Sequence, residues 1–384
     1  MGQGAHSGKT ARFLALGLGL IGLALLLAAC GSARAGEGMA SPLLLSTRTP
    51  TPTPTPTPPY DVEGGYRAGM ARLAAWDLEG ALAQFDRVIA EAPDYAPAYA
   101  ARARVHWLRG NPEAALADAE QALALDEALA EAQRIRAAAL WDLGRPEEAL
   151  EAADALVALV PGDAQAHLFR AELLLNGLHR PQEALEAYGQ ALTLDPALDG
   201  PTLVARWRAL AALNRWEEAL RLSVRIALQE PDDPLRYYYR GRSLLGVGDL
   251  DRAIKTFVEG IRRYPDLPVV LYYGLGLAYS AGGNWIEAAT SLEVAADQIR
   301  RRGVAVERPE LGITLAEVQA RLAVAYLGQQ RCDDAELMYQ QAMARGADPQ
   351  VWGWIETWVA DCRATPTPEP TPEPTPTPED LTSP

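Results

Sequence analysis

Most of the chain shows the apolar spacing of amphipathic helices. Between residues 62 and 348, apolar residues recur at intervals of three and four, as at Ile254, Phe257 and Ile261. This spacing aligns side chains along one face of a helix, whereas a half-buried strand would alternate apolar and polar residues. Prolines such as Pro231 interrupt the pattern at intervals and end individual helices. The pattern therefore predicts an all-α body built from short helices.

The helical body is an internal repeat. Similar short stretches such as "EGALAQF" and "EEALEAA" recur along it, each with an alanine or an equivalent residue at its third position. These alanines are Ala81, Ala115, Ala149, Ala184, Ala219, Ala253, Ala288 and Ala335. The steps between them are 34, 34, 35, 35, 34, 35 and 47 residues. A period near 34 is typical of stacked helical hairpins.

The repeat unit resembles the tetratricopeptide repeat (TPR). The residues of the sixth copy that match this family are Tyr237, Gly241, Leu244, Gly248, Ala253, Phe257 and Pro265. The resemblance implies an all-α, right-handed superhelical solenoid of about eight helix-turn-helix repeats over residues 60–348. We place the copies near residues 62–95, 96–129, 130–163, 164–198, 200–233, 234–267, 269–302 and 316–349. One hairpin cannot bury its own apolar stripe, so each copy packs against its neighbours.

Residues 349–364 follow the last copy and carry a further helical pattern. Val351, Ile355, Trp358 and Val359 fall on one face. A solenoid needs a cap over its last apolar stripe, and we predict that this helix is the cap. The 47-residue step before the eighth copy predicts either lengthened flanking helices or a loop over residues 302–315.

The first 30 residues have the pattern of a secretory signal. Lys9 and Arg12 precede an apolar run over residues 13–29, and small residues follow it. The Leu-Ala-Ala-Cys sequence of residues 27–30 resembles the lipobox of bacterial lipoproteins, which implies cleavage of residues 1–29 and lipidation of Cys30. The alternatives are a retained signal anchor and a cysteine that lies near a cleavage site by chance. We expect export and lipid anchoring to the outer face of the cytoplasmic membrane or to the outer membrane.

Two segments rich in threonine and proline flank the body. Alternating prolines remove backbone donors, so residues 30–59 and 365–384 are predicted to be an extended linker and a disordered acidic tail. The formal charge is −15 and becomes −17 if the signal is removed. This charge argues against nonspecific nucleic-acid binding. An alternative is that the acidic tail itself binds to the binding face of the body.

The sequence offers little catalytic or metal-binding chemistry. Its four histidines show no metal-ligand spacing, and "GLG" at residues 274–276 follows a helical pattern instead of a strand. We therefore predict no enzyme activity, no cofactor and no metal. Cys332 and Cys362 are placed by the repeat register at the same end of adjacent layers. In an oxidising compartment they would form a disulfide; the alternative is two unpaired thiols.

The TPR resemblance also implies where a ligand binds. In that family the first helices line a concave groove, and peptide contacts come mainly from their second, fifth, ninth, twelfth and thirteenth positions. The basic and aromatic residues at those positions here are Tyr66, Arg104, Trp107, Arg134, Trp141, Arg208, Tyr238, Arg242 and Tyr273. Arginine binds carboxylates through two parallel hydrogen bonds, and aromatic rings supply contact area. The groove therefore predicts a protein or peptide ligand with acidic and apolar side chains.

The function expected from these features is a membrane-anchored scaffold for cell-envelope assembly, secretion or regulation. An equally weighted alternative for the groove is that its arginines pair internally with Glu131, Glu172 and similar neighbours. In that case the body could be a structural spacer without a groove ligand. A less favoured alternative is an unrecognised enzyme or glycan-binding protein, which would need a compact pocket with converging polar groups.

Overall fold

A computed structural model of the chain describes residues 60–265, 269–303, 308, 311 and 313–364. The predicted signal with Cys30, the linker over residues 30–59 and the tail over residues 365–384 lie outside the described residues. All described residues belong to one compact unit.

The described residues form eight helical hairpins followed by a short terminal pair of helices. The first helices of the hairpins are α1 (Val62–Ala74), α3 (Ala96–Leu108), α5 (Ala130–Asp142), α7 (Ala164–Asn176), α9 (Asp199–Ala212), α11 (Leu235–Gly246), α13 (Val269–Ala281) and α15 (Leu315–Gly328). The second helices are α2 (Leu78–Glu91), α4 (Pro112–Leu125), α6 (Pro146–Leu159), α8 (Pro181–Leu194), α10 (Trp216–Gln229), α12 (Leu250–Arg263), α14 (Trp285–Arg302) and α16 (Cys332–Ala344). The terminal pair is α17 (Pro349–Trp352) and α18 (Trp354–Ala364).

Small residues let the two helices of each hairpin pack closely. The repeated alanines from Ala81 to Ala335 are all 0% exposed, one in each second helix. In the sixth hairpin, Phe257 fills the space left by two glycines: a Cβ added to Gly241 or Gly274 would lie 2.5 or 2.4 Å from its ring. Large and small residues therefore interlock within and between hairpins.

The turn between the helices of every hairpin contains one residue with left-handed backbone. Four turns use glycine, with Gly110 and Gly248 as examples at φ 76° and 84°. The other four place Trp76, His179, Asn214 and Gln330 in the same region. The left-handed conformation is energetically unfavourable for a residue with a Cβ. The backbone of the hairpin therefore fixes this turn even where the sequence supplies no glycine.

The long step before the eighth hairpin combines both predicted possibilities. Helix α14 has 18 residues, against 14 for α12, so a flanking helix is lengthened. Arg308 and Ile313 then exchange backbone hydrogen bonds of 2.8 and 2.9 Å in the connection that follows. Ile313 is fully buried, which attaches this connection to the core.

The last hairpin is capped, although by a different face than the sequence pattern indicates. Helices α17 and α18 are separated by Gly353, where an added Cβ would lie 2.6 Å from the Pro349 carbonyl oxygen. Gly353 itself keeps helical dihedrals, and Trp352, Ile355 and Val359, spaced i, i+3 and i+7, are buried together while Val351 and Trp358 are exposed. The prediction of one apolar face through Val351 and Trp358 is therefore wrong.

A disulfide joins the cap to the last hairpin. It connects Cys332, at the start of α16, to Cys362 in α18, with their Cα atoms 5.8 Å apart. Arg363 next to it bonds with Asp333 at 2.6 Å and with Glu336. Covalent and ionic contacts thus hold α18 against α16.

The all-α class and the helix-turn-helix solenoid predicted from the sequence are confirmed. Hairpins that are adjacent in sequence contact each other through the second helix of one and the first helix of the next. Within the part of the chain that the structure describes, the search for a helix both long and apolar enough to cross a membrane finds none.

Two glycine substitutions test the close packing. Gly274→Ala gains helix propensity but forces a methyl group into Phe257, so we expect a net loss of about 1–3 kcal/mol in unfolding free energy. Gly189→Ala is the matched control because nothing lies within 4 Å of its added Cβ, and we expect a gain of up to about 1 kcal/mol. Urea unfolding followed by circular dichroism measures both. Equal stabilisation by the two substitutions would contradict the close approach.

Candidate functional site on the first helices

The first helices of neighbouring hairpins contact each other directly, for example α3 with α5, α11 with α13, and α13 with α15. The side chains that these helices present at the positions named above form what we call the first-helix face. Its residues include Glu63, Tyr66, Arg104, Trp107, Glu131, Arg134, Trp141, Glu172, Asn176, Arg208, Tyr238, Arg242, Tyr273 and Glu317.

Aromatic rings and a carboxylate form the amino-terminal end of the first-helix face. The Tyr66 ring lies edge-on to Tyr95, with centroids 5.5 Å apart. The Tyr95 hydroxyl donates to a Glu63 carboxylate oxygen at 3.0 Å. Burial and this hydrogen bond raise the pKa of Tyr95 to about 12. Burial, followed by the charges of Glu131 and Glu63, also raises the pKa of Tyr66. This end is thus half-buried and electronegative.

The next two hairpins bring a carboxylate between two arginines. Glu131 lies 3.6 Å from both Arg104 and Arg134, measured between the nearest nitrogen and oxygen atoms. Arg134 also donates to Asp163 at 2.7 Å. Burial raises the pKa of Glu131 although both arginines act to lower it. Arg134 is therefore paired internally, as one of the two sequence-based alternatives predicts. Arg104 has only an ion pair that is too long to be a hydrogen bond.

The two tryptophans of this region link neighbouring hairpins. The indole nitrogen of Trp107 donates to Asp142 of the next hairpin at 2.9 Å. The Trp141 ring covers Gly177, whose added Cβ would lie 2.1 Å from it. Both tryptophans are partly exposed, so each has a packing role and also presents ring surface on the first-helix face.

The middle of the first-helix face combines an arginine with a carboxylate in a crowded setting. Arg208 donates to the Asn176 side-chain oxygen at 3.1 Å. Glu172 is accessible to water, yet burial by the surrounding protein raises its pKa. The nearby Tyr188 hydroxyl is fully buried and has no hydrogen-bond partner among the described residues. Burial and the charge of Glu172 raise the pKa of Tyr188.

Two predicted residues at the carboxyl-terminal end lie deeper than the sequence indicates. Tyr238 and Tyr273 are 3% and 4% exposed, and burial raises the pKa of each hydroxyl. The Tyr273 hydroxyl donates to Glu317 at 3.3 Å. Arg242 lies over the Trp216 ring, with its guanidinium carbon 5.1 Å from the centroid. The two tyrosines thus form the floor of this end, and Arg242 is one of its cations.

Sequence reasoning missed part of this end. Glu317 accepts from the Trp352 indole at 3.1 Å and from Arg321 at 3.0 Å. Arg321 also lies 4.6 Å from the Trp352 ring centroid. Glu317 occupies a second position of the repeat and was identifiable from the register. Trp352 was not, because it lies in the cap, outside the repeat whose register assigns the other residues.

Comparison with known families supports the repeat assignment. Two family models, both described as tetratricopeptide repeat, match the chain: one at residues 136–199, 204–268 and 238–301, the other at residues 96–129. Together these ranges span about half of the chain. No curated protein matches it.

Three solved structures are similar to the chain at low sequence identity. A tetratricopeptide repeat protein from Parabacteroides merdae is 16% identical, and the match covers 69% of this chain and 98% of that protein, with a TM-score of 0.45. PilF of Pseudomonas aeruginosa is 20% identical over 53% of this chain and 92% of its own, with a TM-score of 0.44. YrrB, described as having an unusual peptide-binding site, is 21% identical over 49% and 95%, with a TM-score of 0.45.

The burial of the Glu172 carboxylate predicts a pH-dependent loss of folding stability. Because burial raises the folded-state pKa, the charged form destabilises the fold at neutral pH, and the cost disappears below the ordinary glutamate pKa of 4.5. Glu172→Gln should therefore raise the thermal midpoint at pH 7 and change it little at pH 4. The control is Glu147→Gln on the exposed side of α6. An equal effect of Glu172→Gln at both pH values would refute this account of the middle region.

Proposed function

The chain belongs to the tetratricopeptide repeat family, and we propose that it scaffolds a protein complex by binding a peptide segment along the first-helix face. The family fold supports a role in protein–protein interaction. The chemistry of the face narrows the ligand to a segment with carboxylates and apolar side chains.

The observation that carries this proposal is the incomplete pairing of an arginine on the face. Arg104 makes no hydrogen bond with the described residues, and its ion pair to Glu131 measures 3.6 Å. Both side chains of this pair are partly exposed, and ion pairs near the surface contribute about 0–1 kcal/mol. A ligand carboxylate can form two shorter, charge-assisted hydrogen bonds with the same guanidinium. Trp107 follows Arg104 by three residues on α3 and Trp141 lies on α5; the partly exposed rings of both suit apolar side chains of the ligand.

We also propose that the protein acts outside the cytoplasm, tethered to a membrane through a lipid on Cys30. The lipobox-like residues 27–30 support the anchor. The disulfide between Cys332 and Cys362 supports the location, because such bonds persist in oxidising compartments. Within the cell envelope, assembly, secretion and enzyme regulation are all consistent with a tethered peptide-binding scaffold.

A second candidate is a structural spacer without a peptide ligand. The pairing of Arg134 with Asp163 at 2.7 Å and with Glu131 favours it. If most cations of the first-helix face were held in this way, the repeats would serve only to separate two attachment points.

Charge reversal on the face distinguishes these two functions. The variant with Arg104, Arg208 and Arg242 changed to glutamate should lose capture of its partner, because a ligand carboxylate would meet three negative charges. We expect at least a tenfold loss, from about 1.5 kcal/mol or more for each charged hydrogen bond. The measurement is a pull-down from envelope extract with quantitative mass spectrometry, together with circular dichroism to establish folding.

The matched control carries the same charge change on second helices. Arg221, Arg262 and Arg300 are exposed on α10, α12 and α14, and their change to glutamate should leave capture intact. An identical set of captured proteins for wild type and both variants would favour the spacer. Loss in both variants would show that net charge, and not the first-helix face, governs binding.

The anchor has its own test. Cys30→Ser should move the protein from the membrane fraction to the soluble fraction, because two or more acyl chains are needed for stable attachment. The control, Cys332→Ser with Cys362→Ser, retains Cys30 and should stay with the membrane. A mature amino terminus without acyl mass in the wild-type protein would disprove the lipid anchor and leave the peptide-binding proposal to its separate test.

A further inference from the structure

An arginine recurs at an equivalent position in five consecutive first helices. These residues are Arg102, Arg136, Arg170, Arg206 and Arg240. In two of the copies a carboxylate from a neighbouring second helix holds the arginine. Arg102 bonds with Asp86 at 2.8 Å and with Asp118 at 2.7 Å, and Arg170 bonds with Asp154 at 2.5 Å.

These ion pairs follow a fixed sequence spacing. Asp86 and Asp154 each come 16 residues before their arginine, and Asp118 comes 16 residues after Arg102. The repeat therefore places those two positions next to the arginine. Carboxylates at these positions leave the Arg102 side chain only 21% exposed.

Arg240 lacks both carboxylates. The residue 16 positions before it is Val224, and the residue 16 positions after it is Thr256. Among the described residues, Arg240 has no hydrogen bond or ion pair. It instead lines a cavity of about 310 Å³ between α10, α11 and α12. Arg240 is thus a cation at a position that carries an acidic partner in other copies.

Other cationic side chains line the cavity together with Arg240. Arg236, Lys255 and Arg252 line it, and its carboxylate is Glu259. Arg252 is already paired with Asp249, which leaves three cations against one carboxylate. The guanidinium of Arg236 lies 4.8 Å from the Tyr237 ring centroid and donates to the hydroxyl of Tyr237 at 3.1 Å, so its position is fixed. In a chain of formal charge −15, this is a local excess of two positive charges.

The cavity is separate from the first-helix face. Arg240 and Arg242 are two residues apart on α11, which rotates them by about 200° about the helix axis. Arg242 lies with Tyr238 on the first-helix face, while Arg240 points between the second helices α10 and α12. A ligand in the cavity would therefore leave the peptide-binding face open.

We propose that this cavity binds a small solute with two negative charges on oxygen atoms. One oxyanion group of the solute binds Arg240 as Asp86 and Asp118 bind Arg102. Lys255 and Arg236 balance the remaining negative charge of the solute. Guanidinium and ammonium groups suit phosphate and carboxylate oxygens alike. The shared chemistry is therefore a compact dianion, either a phosphate group or a dicarboxylate.

Calorimetric titration of the full chain at low ionic strength tests this site with three probes: inorganic phosphate, succinate and acetate. We expect phosphate or succinate to bind, and acetate to bind at least tenfold more weakly. Arg240→Leu should weaken the binding at least about tenfold through loss of charged hydrogen bonds. Leucine is compatible with the fold because Leu275 and Leu322 occupy this position in the last two copies.

Val224→Asp provides an independent variant that adds a carboxylate instead of removing a cation. It restores the spacing seen for Asp86 and Asp154, so it should occupy Arg240 and weaken anion binding to a similar extent without lowering the thermal midpoint. The matched control is Arg136→Leu, which removes the equivalent arginine of another copy and should leave binding unchanged. Circular dichroism establishes that each variant is folded.

The possible outcomes separate clearly. Binding of phosphate alone or succinate alone, lost in Arg240→Leu and Val224→Asp, supports the site and identifies its chemistry. No binding of either dianion to the wild type at millimolar concentration overturns it. Equal binding to wild type and Arg240→Leu, an equal loss in Arg136→Leu, or equal affinity for acetate also overturns it.

Discussion

The close approach of paired helices at a buried alanine is the constraint on which the rest of this structure depends. An alanine with no exposed surface occurs in every second helix from α2 to α16. A larger side chain there would push the hairpin apart, and overpacking of a dense core is costly. Because each hairpin buries its apolar stripe on the next, one correct contact geometry repeated along the chain builds the whole body. The same logic requires a cap, which α18 supplies with Ile355, Val359 and the disulfide.

The periodic sequence pattern makes such a fold predictable. The prediction fails where the physical cause of the pattern no longer applies. The alanine spacing locates the hairpins because small residues are needed wherever two helices touch. Turn glycines are a weaker signal, since Trp76 and Asn214 adopt the same left-handed backbone without being glycine. The cap shows where periodicity fails. The apolar residues over 351–359 fit more than one helical face, and the structure buries Trp352 while exposing Trp358.

The sequence predicts which residues lie at the candidate site. It does not predict how deeply their side chains are buried or which of them form ion pairs. Register alone places Tyr238, Tyr273 and Arg104 on the first helices. It does not show that neighbouring hairpins cover the two tyrosines almost completely. Pairing depends on distances of a few ångströms between hairpins, which separate the hydrogen-bonded Arg134 from the more weakly held Arg104. These differences decide which cation can exchange its partner for a ligand.

A repeated backbone also lets one copy serve as a reference for another. Because the hairpins share one geometry, a side chain bound in one copy shows what its equivalent requires elsewhere. Arg102 lies between two aspartates, whereas the corresponding sequence positions for Arg240 are Val224 and Thr256, and Arg240 lines an open cavity. The sixth hairpin therefore differs from the others in chemistry while its packing stays the same. It lacks the acidic partner of the arginine and has Lys255 nearby. In a solenoid, departures of this kind from a common pattern carry more functional information than the pattern itself.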